Sequence, residues 1–525
     1  MKLSKLLESS GCGMPEGASD CRITDIVYHS GQAGSGSLFA CIRGVCADGH
    51  HFAEEAAARG AAAVLCEKPV QLPACCRGND GKSEEDAKGA EPEGKLSLRQ
   101  GKDLRPAVIR VPDTRKALAA VSAAFYGFPA EEMTIIGVTG TKGKTSTCFM
   151  IQSVLAAAGI KCGLIGTVYV DTGARKLESD RTTPEPPEIH RYLREMAEAG
   201  CRAAVIEVSS QALKLSKTDG IFFDIAVFTN LEEDHIGAGE HEDFAEYAAC
   251  KGKLFTQCRK AVVNGDDPNR RLVLSGCTAQ TVSYGFSKGC DFRIENPEYV
   301  KLPGKLGMEF VLKGSYNIKL AVGSAGLFSC SNAAACAAVC RELGISDDAV
   351  SEGLRTVSIP GRQEIFSAGQ GKMIMVDYAH NGMALSRLLS SLREYNPARL
   401  TCIFGCGGQR DPARRIKMAQ AAAEYADFTV ITSDNPRAEP PENIIRDIAL
   451  VLIERAREFA VIPDRRRAID WCVSHCTCGE IAVIAGKGHE IYQLIGDKKI
   501  YFDDRAEVLS SIEKVKNEQN NFRRN

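Results

Sequence analysis

The residues from Ile135 to Ser146, Ile-Ile-Gly-Val-Thr-Gly-Thr-Lys-Gly-Lys-Thr-Ser, have the types and spacing to hold a nucleotide triphosphate. Gly140, Thr141, Lys142 and Gly143 form a short turn whose backbone N–H groups can close around phosphate oxygens, and a helix is expected to open on Thr145 with its positive end toward them. Lys144 can reach the terminal phosphates, the Thr145 hydroxyl can ligate Mg²⁺, and Ser146 follows on the same helical turn. The usual phosphate loop has glycine five places before Gly143, where this chain has Val138, so this is a shorter version. Two further strand ends carry polar groups. Glu207, closing Val205-Ile206-Glu207, is costly inside a sheet unless paired or bound to a cation, and Mg²⁺ is the natural partner beside a phosphate loop; a salt-bridged structural glutamate is the alternative. His235 follows Phe228-Thr229-Asn230-Leu231 and reads as a ligand from its place beside the nucleotide, against the commoner fate of a core histidine. Lys251, within Tyr247-Ala-Ala-Cys-Lys251-Gly-Lys253, would on its own be read as solvated.

The elements that must position these residues follow a strand–helix alternation. Residues 1–131 alternate short strands (Ile23–Tyr28, Leu38–Ile42, Ala62–Cys66, Ala107–Val111) with helices at Phe52–Arg59 and Thr114–Tyr126. They are interrupted at 71–105 by a Gly, Lys, Glu and Asp-rich insertion too polar to offset its ordering entropy, and so expected to be mobile. Residues 132–359 hold the phosphate loop, with strands expected at Gly163–Val170, Ala203–Val208, Ile225–Thr229 and Lys260–Asn264 and helices at Thr147–Ala158 and Pro187–Ala199. Residues 360–525 repeat the alternation, with strands at Met373–Val376, Leu400–Phe404, Phe428–Ile431 and Ile481–Ala485 and helices at Met383–Tyr395 and Pro441–Arg457. This is a three-domain α/β chain whose central sheet is mainly parallel, with ligands expected at the carboxyl ends of the strands.

Composition narrows the function classes. At 525 residues the chain needs several cores, and a net charge of −2 argues against nucleic acid or an anionic membrane as partner. No apolar run approaches the ~18 residues of a membrane span, and Met1–Glu8 lacks a signal sequence, so a cytoplasmic protein is expected. The 22 cysteines are scattered through apolar stretches, as reduced core thiols are, without zinc spacing.

In order along the chain, the loop Gly140–Thr145, Thr182-Thr183-Pro184, Glu207-Val208-Ser209-Ser210, Thr229-Asn230-Leu231, Asp234-His235, Lys251, Pro360-Gly361-Arg362, Asp377-Tyr378-Ala379-His380, Gly405-Cys406-Gly407-Gly408, Asp434-Asn435-Pro436-Arg437 and Gly486-Lys487-Gly488-His489-Glu490 resemble the motifs of the Mur ligases. Within that family they are most similar to its UDP-N-acetylmuramoyl-tripeptide synthetase branch. The resemblance implies an N-terminal UDP-binding domain, a central ATP-binding domain and a C-terminal Rossmann-like domain that selects an amino acid. It implies an ATP-dependent ligase that activates UDP-MurNAc-L-Ala-D-Glu as an acyl phosphate and joins meso-diaminopimelate to it. Carried over with it, Lys144, Glu207, His235 and Lys251 are catalytic, and Thr145, Glu207, His235 and Lys251, the last as a carbamate, hold Mg²⁺. Asn332, Arg362 and Asp377 match positions around the nucleotide. Ser30, Thr182, Thr183, Ser209 and Lys217 match contacts to the UDP-MurNAc-dipeptide. Arg410, Asp434, Asn435, Pro436, Arg437, Gly486 and Glu490 match the amino-acid site, where an arginine fork suits a distal carboxylate. The expected partners are these small molecules alone, and a monomer is expected. L-Lysine or another diamino acid in place of diaminopimelate stays open, as does a folylpolyglutamate-synthetase-like ligase; a non-catalytic nucleotide-binding scaffold is the reading from another class.

Overall fold

Helices cover both faces of a short all-parallel sheet at the N-terminus, with strands Asp25–Val27, Ser37–Ala40, Ala63–Cys66 and Ala107–Arg110 in sequence order. Every residue of the two inner strands is buried, as such a sheet requires. Leu38, Ala40, Ala63 and Leu65 pack on helices Leu3–Ser9 and Thr114–Phe125, while Phe39, Val64 and Cys66 pack on Ala53–Ala58. The computed structural model describes residues 1–44, 47–72, 105–234, 236–237, 239–369 and 371–524; nearly all of the 71–105 insertion, and His235, lie outside the described residues.

The central sheet has eleven strands. The phosphate-loop strand Thr134–Thr139 lies between Phe223–Phe228 and Ala203–Glu207, parallel to both. Neither neighbour comes next to it in the chain order of strands, so the loops at their carboxyl ends diverge and leave a crevice there. Their apolar residues fill cores on both faces, one under helices Lys144–Ala157 and Leu327–Glu342, the other under Pro186–Glu198 and Phe244–Gly252.

Three sequence expectations are corrected here. The helix after the phosphate loop begins at Lys144, one residue before Thr145, with Gly143 as its cap. The stretch Gly163–Val170 is two strands, Cys162–Ile165 and Tyr169–Asp171, that pair antiparallel. The reversal falls at Gly166, where an added Cβ would lie 3.1 Å from the Glu207 carboxylate, and it brings the Thr167 amide onto that carboxylate. Between Asn264 and Pro360 the sequence reading placed no strand, yet Gln280–Gly285, Phe292–Leu302, Lys305–Gly314 and Ile318–Val322 extend the sheet. Polar and charged residues along these strands break up the apolar runs that mark buried ones.

The C-terminal sheet runs Glu364–Ser367, Met373–Asp377, Glu480–Ala485, Arg399–Phe404, Phe428–Ile431, Phe459–Val461 across the fold, parallel except at its first strand. A hairpin, Tyr492–Ile495 with Lys498–Tyr501, stands over its carboxyl end, where Arg437 pairs with Ile495.

Candidate functional site

The glycine turn is held from both sides. Gly143, at φ 84°, lies so close to Asn332 of helix Leu327–Glu342 that a Cβ would come within 2.5 Å of the amide oxygen. At Gly140 a Cβ would meet the Thr229 hydroxyl at 1.9 Å. From the neighbouring strand end, Asn230 accepts from the Lys142 N–H at 2.9 Å and donates to the Lys142 carbonyl at 3.0 Å. The Thr229 hydroxyl donates to that carbonyl at 2.6 Å, and Thr141 meets the Tyr247 hydroxyl at 3.0 Å. Asn230 had no role in the sequence reading beyond its motif; an asparagine just past a buried strand is the signal that marks it. Ser146 sits half-buried in the first helical turn.

Glu207 is 2% exposed. Its carboxylate accepts from the Thr145 hydroxyl at 3.0 and 3.1 Å and from the Thr167 N–H at 3.1 Å, with no ion pair to a lysine or arginine among the described residues. A buried carboxylate so placed fits a cation. Lys144 folds back onto its own loop, donating to the carbonyls of Gly140 at 2.9 Å and Thr141 at 3.1 Å. Burial lowers its pKa, with Glu207 opposing. Lys251, 1% exposed, donates to the same Gly140 carbonyl at 2.9 Å and lies 4.5 Å above the Tyr247 ring. Burial first, then the Lys144 charge, pulls its amine well below the ordinary lysine range. Asp234 pairs with Lys142 at 2.8 Å.

A polar chain runs from Glu207 toward the N-terminal domain. The Thr183 hydroxyl donates to the Glu207 carbonyl at 2.7 Å and accepts from the Ser209 N–H at 3.1 Å, and Ser209 caps helix Ser210–Lys214. Thr182 accepts from Thr167 at 3.0 Å. Buried Lys217 reaches the Thr183 carbonyl at 3.3 Å and the Glu185 carboxylate at 2.9 Å. Arg115 of the N-terminal domain lies 3.7 Å from Glu185, and Tyr28 donates to Glu188 at 3.0 Å. Ser30, two residues beyond Tyr28, is buried beside Glu55.

The C-terminal domain supplies the remaining groups. Arg362 lies 4.3 Å over the Tyr378 ring. Asp377 accepts from the backbone of Gln363 at 2.8 Å and of Ala379 at 2.7 Å, and burial raises its pKa against the Arg362 charge. Gln363, itself left-handed at φ 48°, reaches back to the central domain. Its amide oxygen accepts from Ala325 N–H at 2.6 Å and the Ser324 hydroxyl at 2.9 Å, and its nitrogen donates to the Ala325 carbonyl at 3.2 Å. Arg387 meets Glu232 at 2.8 Å across the same divide.

Asp434–Arg437 and Gly486–Glu490 face each other. Asn435 donates to Glu490 at 3.2 Å, and Lys487, with no exposure at all, reaches Asn435 at 3.3 Å and Glu490 at 3.2 Å. Lys487 has no role assigned from the sequence alone, although a lysine between two motif glycines marks it. Gly486 touches Asp434, whose carboxylate would be 2.8 Å from a Cβ there, and Gly408 packs on Pro436, whose carbonyl would be 2.0 Å from one. Arg437 donates through Nη1 to the Gly408 carbonyl at 2.9 Å; its Nε and Nη2 carry no protein partner among the described residues. Arg410 is exposed, its stem alongside Gly407.

Such an arrangement can bind a nucleotide at the central loop and present a carboxylate acceptor and an amine donor from opposite sides. The 2,6-diaminopimelate-adding UDP-N-acetylmuramoyl-L-alanyl-D-glutamate ligase of Geobacillus thermodenitrificans is 37% identical over 488 residues, 91% of this chain and 92% of its own. That of Syntrophomonas wolfei is 37% identical over 521 residues, 97% of this chain and 99% of its own. Family models match in order: the Mur ligase family catalytic domain over 22–126, the Mur ligase middle domain over 138–340 and the glutamate ligase domain over 361–488. The chain belongs to the Mur ligase family and is a ligase. Among solved structures, a UDP-N-acetylmuramoyl-L-alanyl-D-glutamate–2,6-diaminopimelate ligase superposes with TM-score 0.66 at 25% identity, covering 98% of this chain and 99% of that one. The fold alone is shared with Mycobacterium tuberculosis folylpolyglutamate synthase, TM-score 0.56 at 20% identity over 72% of this chain and 92% of that one. No helix among the described residues is long and apolar enough to cross a membrane.

Proposed function

We infer that this chain joins meso-diaminopimelate to UDP-MurNAc-L-Ala-D-Glu with hydrolysis of ATP to ADP and phosphate, in the cytoplasmic synthesis of peptidoglycan precursors. The observation that carries the choice of amino acid is Arg437: anchored by one nitrogen to Gly408, it keeps the rest of its fork for a distal carboxylate, beside Asn435 and Glu490. The γ-phosphoryl group of ATP passes to the terminal carboxylate of the D-glutamyl residue. The diamino acid's amine then attacks the acyl phosphate carbonyl, loses its proton, and phosphate departs with the C–O bonding pair.

The loop amides and Lys144 hold the phosphates, and Asn332 and Arg362 flank the nucleotide. Thr183, Ser209 and Lys217 orient the acceptor peptide, while Ser30 meets the uridine end. Thr145, Glu207, His235 and Lys251 would hold Mg²⁺, which when bound offsets the negative charge gathering between phosphate and carboxylate oxygens. Lys251 suits that set as a carbamate. Burial favours the neutral form of its amine, which adds to the carbon of CO₂ and loses a proton, so that a basic side chain becomes an anionic ligand.

The test is phosphate release by the purified protein with ATP, Mg²⁺ and UDP-MurNAc-L-Ala-D-Glu across a panel of meso-diaminopimelate, L-lysine and L-ornithine. Turnover with diaminopimelate alone is expected. In Arg437→Ala its KM should rise by about 30-fold or more, as losing a charge-assisted contact of roughly 2 kcal/mol implies, with the KM for ATP unchanged. Equal turnover with lysine would overturn the assignment, and no release with any of the three would overturn the ligase reading.

A further inference from the structure

The most deeply buried arginine of the described chain belongs to no site motif. Arg465 opens helix Arg465–His475 and pairs with Asp504, the first residue of the C-terminal helix Asp504–Arg524; neither side chain has any exposed surface. Nε and Nη2 donate to the two carboxylate oxygens at 2.7 and 2.6 Å. Nη2 donates also to the Ala485 carbonyl at 3.0 Å, and Nη1 to the Ser433 carbonyl at 3.4 Å.

Those two carbonyls are telling. Ala485 immediately precedes Gly486, and Ser433 immediately precedes Asp434. The strands that deliver them, Glu480–Ala485 and Phe428–Ile431, are not neighbours, because Arg399–Phe404 lies between them. No ladder hydrogen bond can therefore fix the spacing of the two loops, and the guanidinium spans the gap. Stability is a poor reason to keep a buried ion pair, since apolar residues of similar volume often do as well. A planar fork with five donors reaching four acceptor oxygens at set angles is something no apolar side chain supplies.

We propose that Arg465, fixed by Asp504, is a positioning residue for the amino-acid subsite: it sets the Asp434–Arg437 loop against the Gly486–Glu490 loop so that Asn435, Lys487, Glu490 and Arg437 meet one amino-acid substrate in register. This rests on the ligase reading above. The experiment compares the full chain with a double variant, Arg465→Met with Asp504→Leu, which removes both charges and keeps volume, and with Arg465→Lys, which keeps the charge but cannot span both carbonyls. In either variant that folds, the KM for diaminopimelate should rise about tenfold or more, while the KM for ATP and for UDP-MurNAc-L-Ala-D-Glu stays at the unmodified value. Amide hydrogen exchange should accelerate at Asp434, Asn435, Arg437 and 486–490 and not in the strands of the sheet. Unchanged diaminopimelate KM and unchanged exchange would overturn the proposal, as would a parallel rise in all three KM values. Inactivity of the unmodified protein with every diamino acid would sink the ligase reading instead; the exchange measurement would still decide whether Arg465 sets the two loops.

Discussion

Two lysine amines converge on the Gly140 carbonyl, Lys144 and Lys251, each at 2.9 Å. Both cannot stay charged cheaply in one buried place, and Lys251, the more enclosed, is the one driven furthest toward the neutral form. A neutral buried amine is a good nucleophile for CO₂, so the electrostatic strain prepares the modification proposed for the site. Lys251→Ala should lose activity by orders of magnitude, and millimolar formate or acetate should restore part of it by standing in for the carbamate. Steady-state phosphate release with and without the added acid measures this. An alanine variant as active as the unmodified chain would exclude the role.

Among the elements, the phosphate-loop turn leaves little room for a side chain. Gly143 holds φ 84° against Asn332, so Gly143→Ala adds both a left-handed side chain and a 2.5 Å clash. The cost of roughly 1–3 kcal/mol should appear as weaker ATP binding, measured by titration calorimetry, with little change in affinity for the UDP-linked substrate. Unaltered ATP affinity would show that the turn can relax. The backbone shape of this loop was legible in the sequence from its glycines at fixed offsets, although its helix opens at Lys144 and not at Thr145. The buried parallel strands were legible for a related reason, their unbroken apolar runs. The strands Phe292–Leu302 and Lys305–Gly314 were not: Arg293, Glu295 and Lys301 interrupt the pattern on the solvent side. Arg465 and Asp504 were invisible too, 39 positions apart and each ordinary in its own neighbourhood. Thr167 escaped because a single expected strand ran across the turn that aims its amide. The sequence thus announces residues set in a motif of fixed spacing more readily than those that hold others in place.

At the scale of the whole molecule, stability should fall in acid. His190, 1% exposed on helix Pro186–Glu198, has neither ring nitrogen hydrogen-bonded within the described structure, and burial lowers its pKa from 6.5 to about 4. The unfolded chain takes up that proton first. Stability is therefore fully present above pH 6.5 and is lost as pH falls toward 4, by roughly 3 kcal/mol from this residue. His380 and His489, lowered to about 4 and about 3, act in the same direction. Denaturant titrations at pH 7 and pH 5 check this, and His190→Phe should reduce the difference; equal stability of the unmodified chain at both pH values would refute it.

The Gln363 amide, joined to Ser324 and Ala325 by three hydrogen bonds, has a kinetic meaning as well as a structural one. If tripeptide and ADP leave only when the C-terminal domain swings away from the central one, that clasp must open once in every catalytic cycle, and its strength bears on the rate of release rather than on bond formation. Gln363→Asn, which tolerates the left-handed backbone but is too short to reach Ala325, should leave the single-turnover rate unchanged and raise the steady-state rate. A fall in both rates together would mean that the clasp serves the chemistry and not the exit.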